Sequence, residues 1–219
     1  MRSGDFVYID YIGRVKDTGE VFDTTNEEIA KKEGVYNPQI KYKPVPVVVD
    51  GGYVIKGLND VLKDMNVGEK RKVEIDPENA FGERSIELIK SFPLSLFKEN
   101  RIDPTPGSYV TINNIRGRII SNDGGRVKVD FNHPLAGKKL EYEIEIKGLI
   151  EDTDEKIKSI VHFFTGIELE KIYAELKEKN VEIKILDRVD LNLEIKKKIA
   201  AEIKKWIKDI EKVKFIDEY

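Results

Sequence analysis

The sequence predicts an α+β protein. Its first two thirds read as mostly antiparallel strand, and its last third reads as a separate α/β unit. Three observations carry this. Short segments with period-two apolar alternation recur between turn signals from residue 5 to residue 146. The stretch from Glu83 to Asp130 carries its own strand patterns and hairpin signal, as an inserted unit would. From Asp152 onward the apolar spacing changes to three and four residues, the period of a helix. The expected division is 1–84 with 131–151, then a β-rich insert at 85–130, then a C-terminal unit at 152–219.

Residues 5–16 alternate with apolar side chains on both faces, Phe6 and Tyr8 against Val7 and Ile9, which predicts a central strand. Asp17-Thr18-Gly19 signals a turn, and Val21-Phe22-Asp23 begins the return strand. A polar stretch from 26 to 44 reads as a long loop. Val45 to Val49 is β-branched but broken by Pro46, which predicts an edge strand. Leu58, Val61, Leu62 and Met65 mark a short helix stopped by Gly68. Strands follow at Lys70–Ile75 and, after the insert, at Glu141–Ile146. The insert's strands are expected at Glu87–Phe92, Tyr109–Asn113, Arg116–Ser121 and Arg126–Asp130, with Asn122-Asp123-Gly124-Gly125 as a hairpin turn.

The last third predicts the order ααβαβ. One helix carries Ile157, Ile160, Val161 and Phe164, capped by Thr153 or Asp154, and a second carries Leu169, Ile172, Tyr173 and Leu176 beyond Gly166. A strand with Val181, Ile183 and Ile185 precedes a third helix from Ile195 through Trp206 to Ile210, and a strand with Val213 and Phe215 closes the unit. A helix between two strands makes them parallel. Two such strands form a narrow sheet with open edges. With helices short of core, two chains are expected to pair through this unit, the alternative being a monomeric unit that packs on the first region.

Charged residues make up 36% of the chain, against about 25% in ordinary soluble domains. Surface charge of this density is common in proteins from hot environments. The net charge of −3 supplies no field for nucleic acid or membrane. The chain has no cysteine, which excludes disulfides, thiol nucleophiles and thiolate metal sites. The two histidines, His133 and His162, lack ligand spacing, so neither metal nor cofactor is expected. The first residues lack the apolar core of a signal peptide, and no run is long enough to span a bilayer. A cytoplasmic location is the expectation.

Several short motifs occur in a telling order: Asp10-Tyr11-Ile12-Gly13, Val21-Phe22-Asp23, Tyr53-Val54-Ile55-Lys56-Gly57-Leu58, Asn79-Ala80-Phe81-Gly82, and Asn132-His133-Pro134-Leu135-Ala136-Gly137. In this order they resemble the FKBP-type peptidyl-prolyl cis-trans isomerases, and the last resembles the SlyD-like branch with its inserted chaperone domain. The resemblance covers roughly residues 3 to 150 and says nothing of the rest. It implies a half-barrel sheet around one helix, an isomerase without covalent intermediate or cofactor, and unfolded polypeptides with X–Pro bonds as substrates. It places Tyr11, Phe22, Asp23, Ile55, Phe81 and Tyr142 in the catalytic pocket, with Val54, Leu58, Ala80 and Leu135 contacting substrate. Ile55 would offer a backbone N–H, and Asp23 would orient rather than transfer protons. Two positions depart from the usual pattern. Leu58 stands where many members have tryptophan, and Phe81 where many have a tyrosine hydroxyl, so reduced activity on short peptides and weak macrolide binding are expected. The SlyD-like branch often has a histidine-rich metal-binding tail. This chain ends Lys214-Phe215-Ile216-Asp217-Glu218-Tyr219 instead.

Taken singly, Phe22, Ile55 or Tyr142 reads as core and Asp23 as a turn residue. His133 reads as a hydrogen-bonded structural residue. Arg116, Arg118, Arg126 and Lys128 lack the interleaved aromatics of an RNA surface. The competing reading is a holdase with little isomerase activity, built on apolar residues at 86–97 that would take up unfolded chains by strand addition or apolar contact.

Overall fold

The structure is a computed structural model that describes residues 1–186, 189 and 191–216. The expected tail Asp217-Glu218-Tyr219 lies outside the described residues. Among the described residues, seventeen strands and α-helices group around three sheets.

The main sheet joins β1 (Phe6–Val15), β2 (Val21–Thr24), β3 (Val45–Val48), β4 (Lys70–Ile75) and β9 (Leu140–Leu149). Its order is β2-β1-β9-β4, all antiparallel, with β3 on the first half of β1 and β2 on the second. Pro46 therefore sits on an edge strand, as its missing N–H requires. Helix α2 (Lys56–Lys63) lays Leu58 and Leu62 against one face, over Val7, Ile9, Val47 and Ile144. The stretch expected as loop at 26–44 holds a short helix, α1 (Glu27–Lys32). The Asn26 side chain caps it, and Glu27 pairs with Lys31 one turn on.

The insert sheet has the order β5-β8-β7-β6, from β5 (Ile89–Pro93), β6 (Tyr109–Ile112), β7 (Ile115–Asp123) and β8 (Arg126–Asp130). Asp123 faces Arg126 across the two-residue turn Gly124-Gly125, both at positive φ, the geometry that suits the twist of a hairpin. The expected β-rich insert also contains α3 (Leu94–Glu99), which drives Phe97, 1% exposed, between Val110, Ile119, Val127 and Val129. Part of the 86–97 apolar run is thus the insert's own core, while Ile86 is 84% exposed.

The C-terminal region runs α4 (Thr153–Thr165), β10 (Ile172–Lys177), β11 (Asn180–Ile185), α5 (Leu193–Trp206) and β12 (Lys212–Ile216). The expected second helix is a strand. Leu169, Ile172, Tyr173 and Leu176 imitate a helical stripe, but Ile172 and Ala174 alternate inward and Tyr173 points out. The hairpin that follows turns at Glu178, φ 55°, without the glycine that would have announced it. The sheet is therefore three-stranded, β10-β11-β12, with the expected parallel pair β11 and β12. Asp152, rather than Thr153 or Asp154, caps α4, while Asp154 accepts from Leu176 N. The third helix stops at Trp206, short of Ile210.

The helices do not lack cover. Ile157, Ile160, Val161, Ile199 and Ile203 share one buried cluster with Phe6, Val48 and Ile150 of the first region. This explains the two apolar faces of β1. Val7 and Ile9 pack toward α2, whereas Phe6 and Tyr8 pack toward α4 and its sheet, and the Tyr8 hydroxyl donates to Glu155 at 2.8 Å.

Candidate active site

The site grows from a notch in the main sheet. Gly13 of β1 stands opposite Asp23 of β2 on one side and Tyr142 of β9 on the other. A Cβ at Gly13 would lie 2.7 Å from Phe22 Cζ and 3.0 Å from Tyr142 Cε1, so both rings lie over a position that only glycine leaves open. Phe22 and Tyr142 meet edge to face at 5.7 Å, and Tyr11 tilts against Tyr142 at 6.1 Å. The Tyr11 hydroxyl donates to Asp23 Oδ2 at 2.7 Å.

Opposite these rings stands the start of α2. Val54 and Ile55 precede the helix, and Leu58, 4% exposed, reaches the floor beside Tyr142, 5% exposed. The first N–H groups of a helix have no intrahelical acceptor, and Ile55 is the residue at that end. Tyr11, Asp23, Val54, Ile55, Leu58 and Tyr142 enclose a cavity of about 400 Å³. Burial, then the Asp23 charge, holds both the Tyr11 and Tyr142 phenols above the ordinary tyrosine range, so both stay protonated at neutral pH. The cavity thus offers apolar walls, one exposed carboxylate held by a phenol, and a helix start.

The remaining expected residues lie nearby without lining this cavity. Phe22 and Leu135 line the adjoining cleft, about 1200 Å³, whose other wall is the insert through Tyr109, Gly117 and Ile120. Ala80 and Phe81 pack against the same apolar core. Phe81 stacks flat on His133 at 4.1 Å, and His133 Nδ1 accepts from Leu135 N at 3.1 Å. The cavity also takes in residues that were not expected at the site: Val45, Pro46 and Val47, Tyr53 at the head of its motif, and from α4 and its cap His162, Phe163 and Gly166. Phe163 carried one signal, being a bulky aromatic off the stripe of Ile157, Ile160, Val161 and Phe164. Among the described residues, no three His, Cys, Asp or Glu side chains gather as metal ligands. Nor is any helix there long and apolar enough to cross a membrane.

The family model described as FKBP-type peptidyl-prolyl cis-trans isomerase matches residues 1–147. The chain belongs to the FKBP-type peptidyl-prolyl cis-trans isomerases. A short-type isomerase of this name from Methanocaldococcus jannaschii is 36% identical over 147 residues, 67% of this chain and 92% of that one. A probable FKBP-type 16 kDa isomerase from Pseudomonas fluorescens is 34% identical, over 47% of this chain and 71% of its own. The SlyD isomerase of Helicobacter pylori is 26% identical, over 58% and 71%. A structure of the three FKBP domains of wheat FKBP73 aligns at 18% identity and a TM-score of 0.36, over 69% of this chain and 40% of that one.

In this FKBP-type isomerase the sheet β5-β8-β7-β6 lies in the chain between β4 and β9. A second family model, described as the FKBP26 C-terminal region, matches residues 153–219, beginning where α4 begins. The Asn-His-Pro-Leu-Ala-Gly run also has a structural account. It lies against the chain entering the insert, where Arg84 pairs with Asp130 at 2.7 Å and Gly137 N donates to Gly82 O at 2.8 Å.

Proposed function

We propose that this isomerase twists X–Pro bonds in the cavity between Tyr142, Leu58 and Ile55, and that the insert holds the unfolded segments presenting them. The supporting observation is the convergence of the Tyr11–Asp23 hydrogen bond, the Tyr142 ring and the Ile55 N–H end of α2 on one 400 Å³ cavity. Rotation about an X–Pro bond faces a barrier of about 18–20 kcal/mol because of amide resonance. Resonance places negative charge on the carbonyl oxygen, so the planar amide is more polar than the twisted one. Apolar walls therefore favour the twisted state over either planar isomer, and differential binding of that kind is the whole of the catalysis. Tyr142 and Leu58 supply the walls. Ile55 N–H holds a neighbouring carbonyl. Asp23, fixed by Tyr11, orients the bound segment without transferring a proton. Phe81 brings no hydroxyl to the rim, which makes short peptides poorer substrates than protein chains.

What supports capture by the insert is its position and surface. Its wall faces the cleft that Phe22 and Leu135 share with the isomerase region. Ile86, Leu88, Ile115 and Ile120 are exposed, and β5 and β6 are its outer strands, open to strand addition among the described residues. Tethering binding and isomerisation on one chain raises the local concentration of proline segments at the cavity. Two chains pair through the C-terminal region in this reading, where Leu186, Val189 and Leu193 are exposed beside a three-stranded sheet with two outer strands.

Refolding of a proline-limited protein tests the division of labour. The full chain should accelerate it at substoichiometric dose. A variant with residues 86–129 replaced by a short loop should keep peptide isomerisation and lose most of that acceleration. Equal catalysis by both would reject the insert's role. A full chain that only suppresses aggregation at stoichiometric dose would favour a holdase.

A further inference from the structure

We infer that the C-terminal region completes the isomerase pocket: Phe163 of α4 is a substrate-facing wall that selects a bulky apolar side chain flanking the proline. This rests on the cavity being the isomerase site.

His162, Phe163 and Gly166 lie beyond residues 1–147, the region matched as FKBP-type. The cavity that holds Tyr11, Asp23, Ile55 and Tyr142 is closed on one side by His162, Phe163 and Gly166, the last turn and cap of α4. Phe163 meets the Tyr53 ring at 4.0 Å, tilted by 62°, yet remains 44% exposed. The buried stripe of α4 is Ile157, Ile160 and Val161, and Phe163 lies off it, meeting Phe164 edge to face at 5.3 Å. A large aromatic half in water at the mouth of an apolar cavity has surface left for a ligand.

The wall is also held still. His162 Nδ1 donates to Ile167 O at 2.7 Å, Gly166 N donates to His162 O at 2.7 Å, and Thr165 Oγ1 donates to Val161 O at 2.7 Å. Glu155 at the other end of α4 accepts from Tyr8 of β1, and Glu168 just beyond the helix pairs with Lys43 at 2.8 Å. The aromatic therefore sits at a fixed place relative to β1 and β3 rather than on a loose appendage.

Tyr53 ties this wall to the chemistry. It immediately precedes Val54 and Ile55, and it packs against both the main-sheet core and the C-terminal core. Burial first, and then the Glu202 carboxylate of α5, raise its phenol above the ordinary range. The hydroxyl has no partner in hydrogen-bond geometry among the described residues, so Glu202 acts on it as a nearby charge. Glu202 itself accepts from Trp206 Nε1 at 2.6 Å. A side chain beside the proline would lie along Tyr53 and Phe163 while the prolyl ring occupies the floor at Leu58 and Tyr142. Glycine, alanine or a charged residue there leaves Phe163 with nothing to cover.

The test uses the full chain and two series of short proline peptides. One varies the residue before the proline and the other the residue after it, each through Phe, Leu, Ala and Glu. Phe163→Ala should lower kcat/KM about tenfold for Phe and Leu peptides of one series, mostly through KM, and less than about twofold for Ala and Glu peptides. Phe163→Leu should restore most of the loss. Near-UV circular dichroism and the thermal midpoint confirm that both variants fold. A uniform loss across all peptides, or no loss in either series, overturns the inference. Asp23→Ala run beside it separates the two levels. If Asp23→Ala lowers all peptides and Phe163→Ala changes none selectively, only the wall is wrong. If Asp23→Ala is also silent, the cavity itself is misassigned.

Discussion

The Asn132 side chain and the Ser85 backbone bond each other twice: Oδ1 accepts from Ser85 N at 2.8 Å, and Nδ2 donates to Ser85 O at 2.9 Å. These residues lie on the two connections that enter and leave the insert. Asn132→Ala removes both bonds and leaves a partly buried N–H and C=O without their partners. We expect a loss of about 1–3 kcal/mol of stability, read as a lower urea midpoint, and faster amide exchange at residues 84–88. Peptide isomerisation should be unchanged, because no cavity residue is touched.

Asp130 sharpens that expectation with pH. Burial alone would raise its carboxyl, but the Asn132 N–H groups and Arg84 outweigh it and hold the pKa below the usual value. A depressed pKa contributes stability above the unfolded value, near 4, that is lost as pH falls through the folded value. The connections should therefore loosen below about pH 4. Asp130→Asn should flatten this acid dependence of exchange at residues 84–88. An equally steep profile in the variant would count against it.

In the pocket, Asp23→Ala frees the Tyr11 hydroxyl and Tyr142→Ala removes a wall. Each should lower kcat/KM on a proline peptide by about tenfold or more, the scale of one lost hydrogen bond or apolar wall. Circular dichroism should stay unchanged. Full activity in both variants would reject the assignment.

Gly13→Ala tests the notch. Its methyl would meet Phe22 and Tyr142 within 3.0 Å, and overpacking of this kind costs about 1–3 kcal/mol. The thermal midpoint should fall and isomerase activity with it, since the displaced rings are pocket walls. A variant as stable and active as the parent would show that the rings have room.

At high pH the buried phenols work against the fold. Tyr142 has a raised pKa, first from burial and then from Asp23. Its contribution is fully present below the unfolded value, near 10, and is lost as pH rises toward the folded value. Tyr142→Phe should therefore show a shallower fall in thermal midpoint between about pH 10 and 11.5 than the parent chain. Identical slopes would exclude this phenol as a source.

Pairing of two chains is decided by sedimentation at micromolar concentration. A dimer is expected, with Leu186→Asp and Leu193→Asp together shifting it to monomer. A monomeric parent chain would end the proposal.

Much of the fold could be read from the sequence because alternation, proline and paired glycines act locally. The edge position of Pro46 and the turn at Gly124-Gly125 are of this kind. The strand at Ile172 escaped because Ala174 is a weak marker of the inward face and its hairpin turns on Glu178. The meeting of Tyr11, Asp23, Ile55 and Tyr142 came from the resemblance, since no local spacing brings them together. Phe163 came from neither. It reaches the cavity only because Phe6, Tyr8 and Val48 turn a second apolar face toward α4, and sequence alternation shows two faces without saying what covers each.

The pairing of β1 with β9 has a consequence for how the molecule is made. Val15 must wait for Leu140 before its outer hydrogen bonds close. At ordinary synthesis rates that wait is on the order of ten seconds. The insert has no such gap, because β5 through β8 are contiguous in the chain. On the ribosome the insert can therefore close first, while β1, which frames the candidate pocket, still lacks its β9 partner. The first strand of the chain therefore keeps one edge unpaired, with its alternating apolar side chains, until the residues beyond the insert have been made.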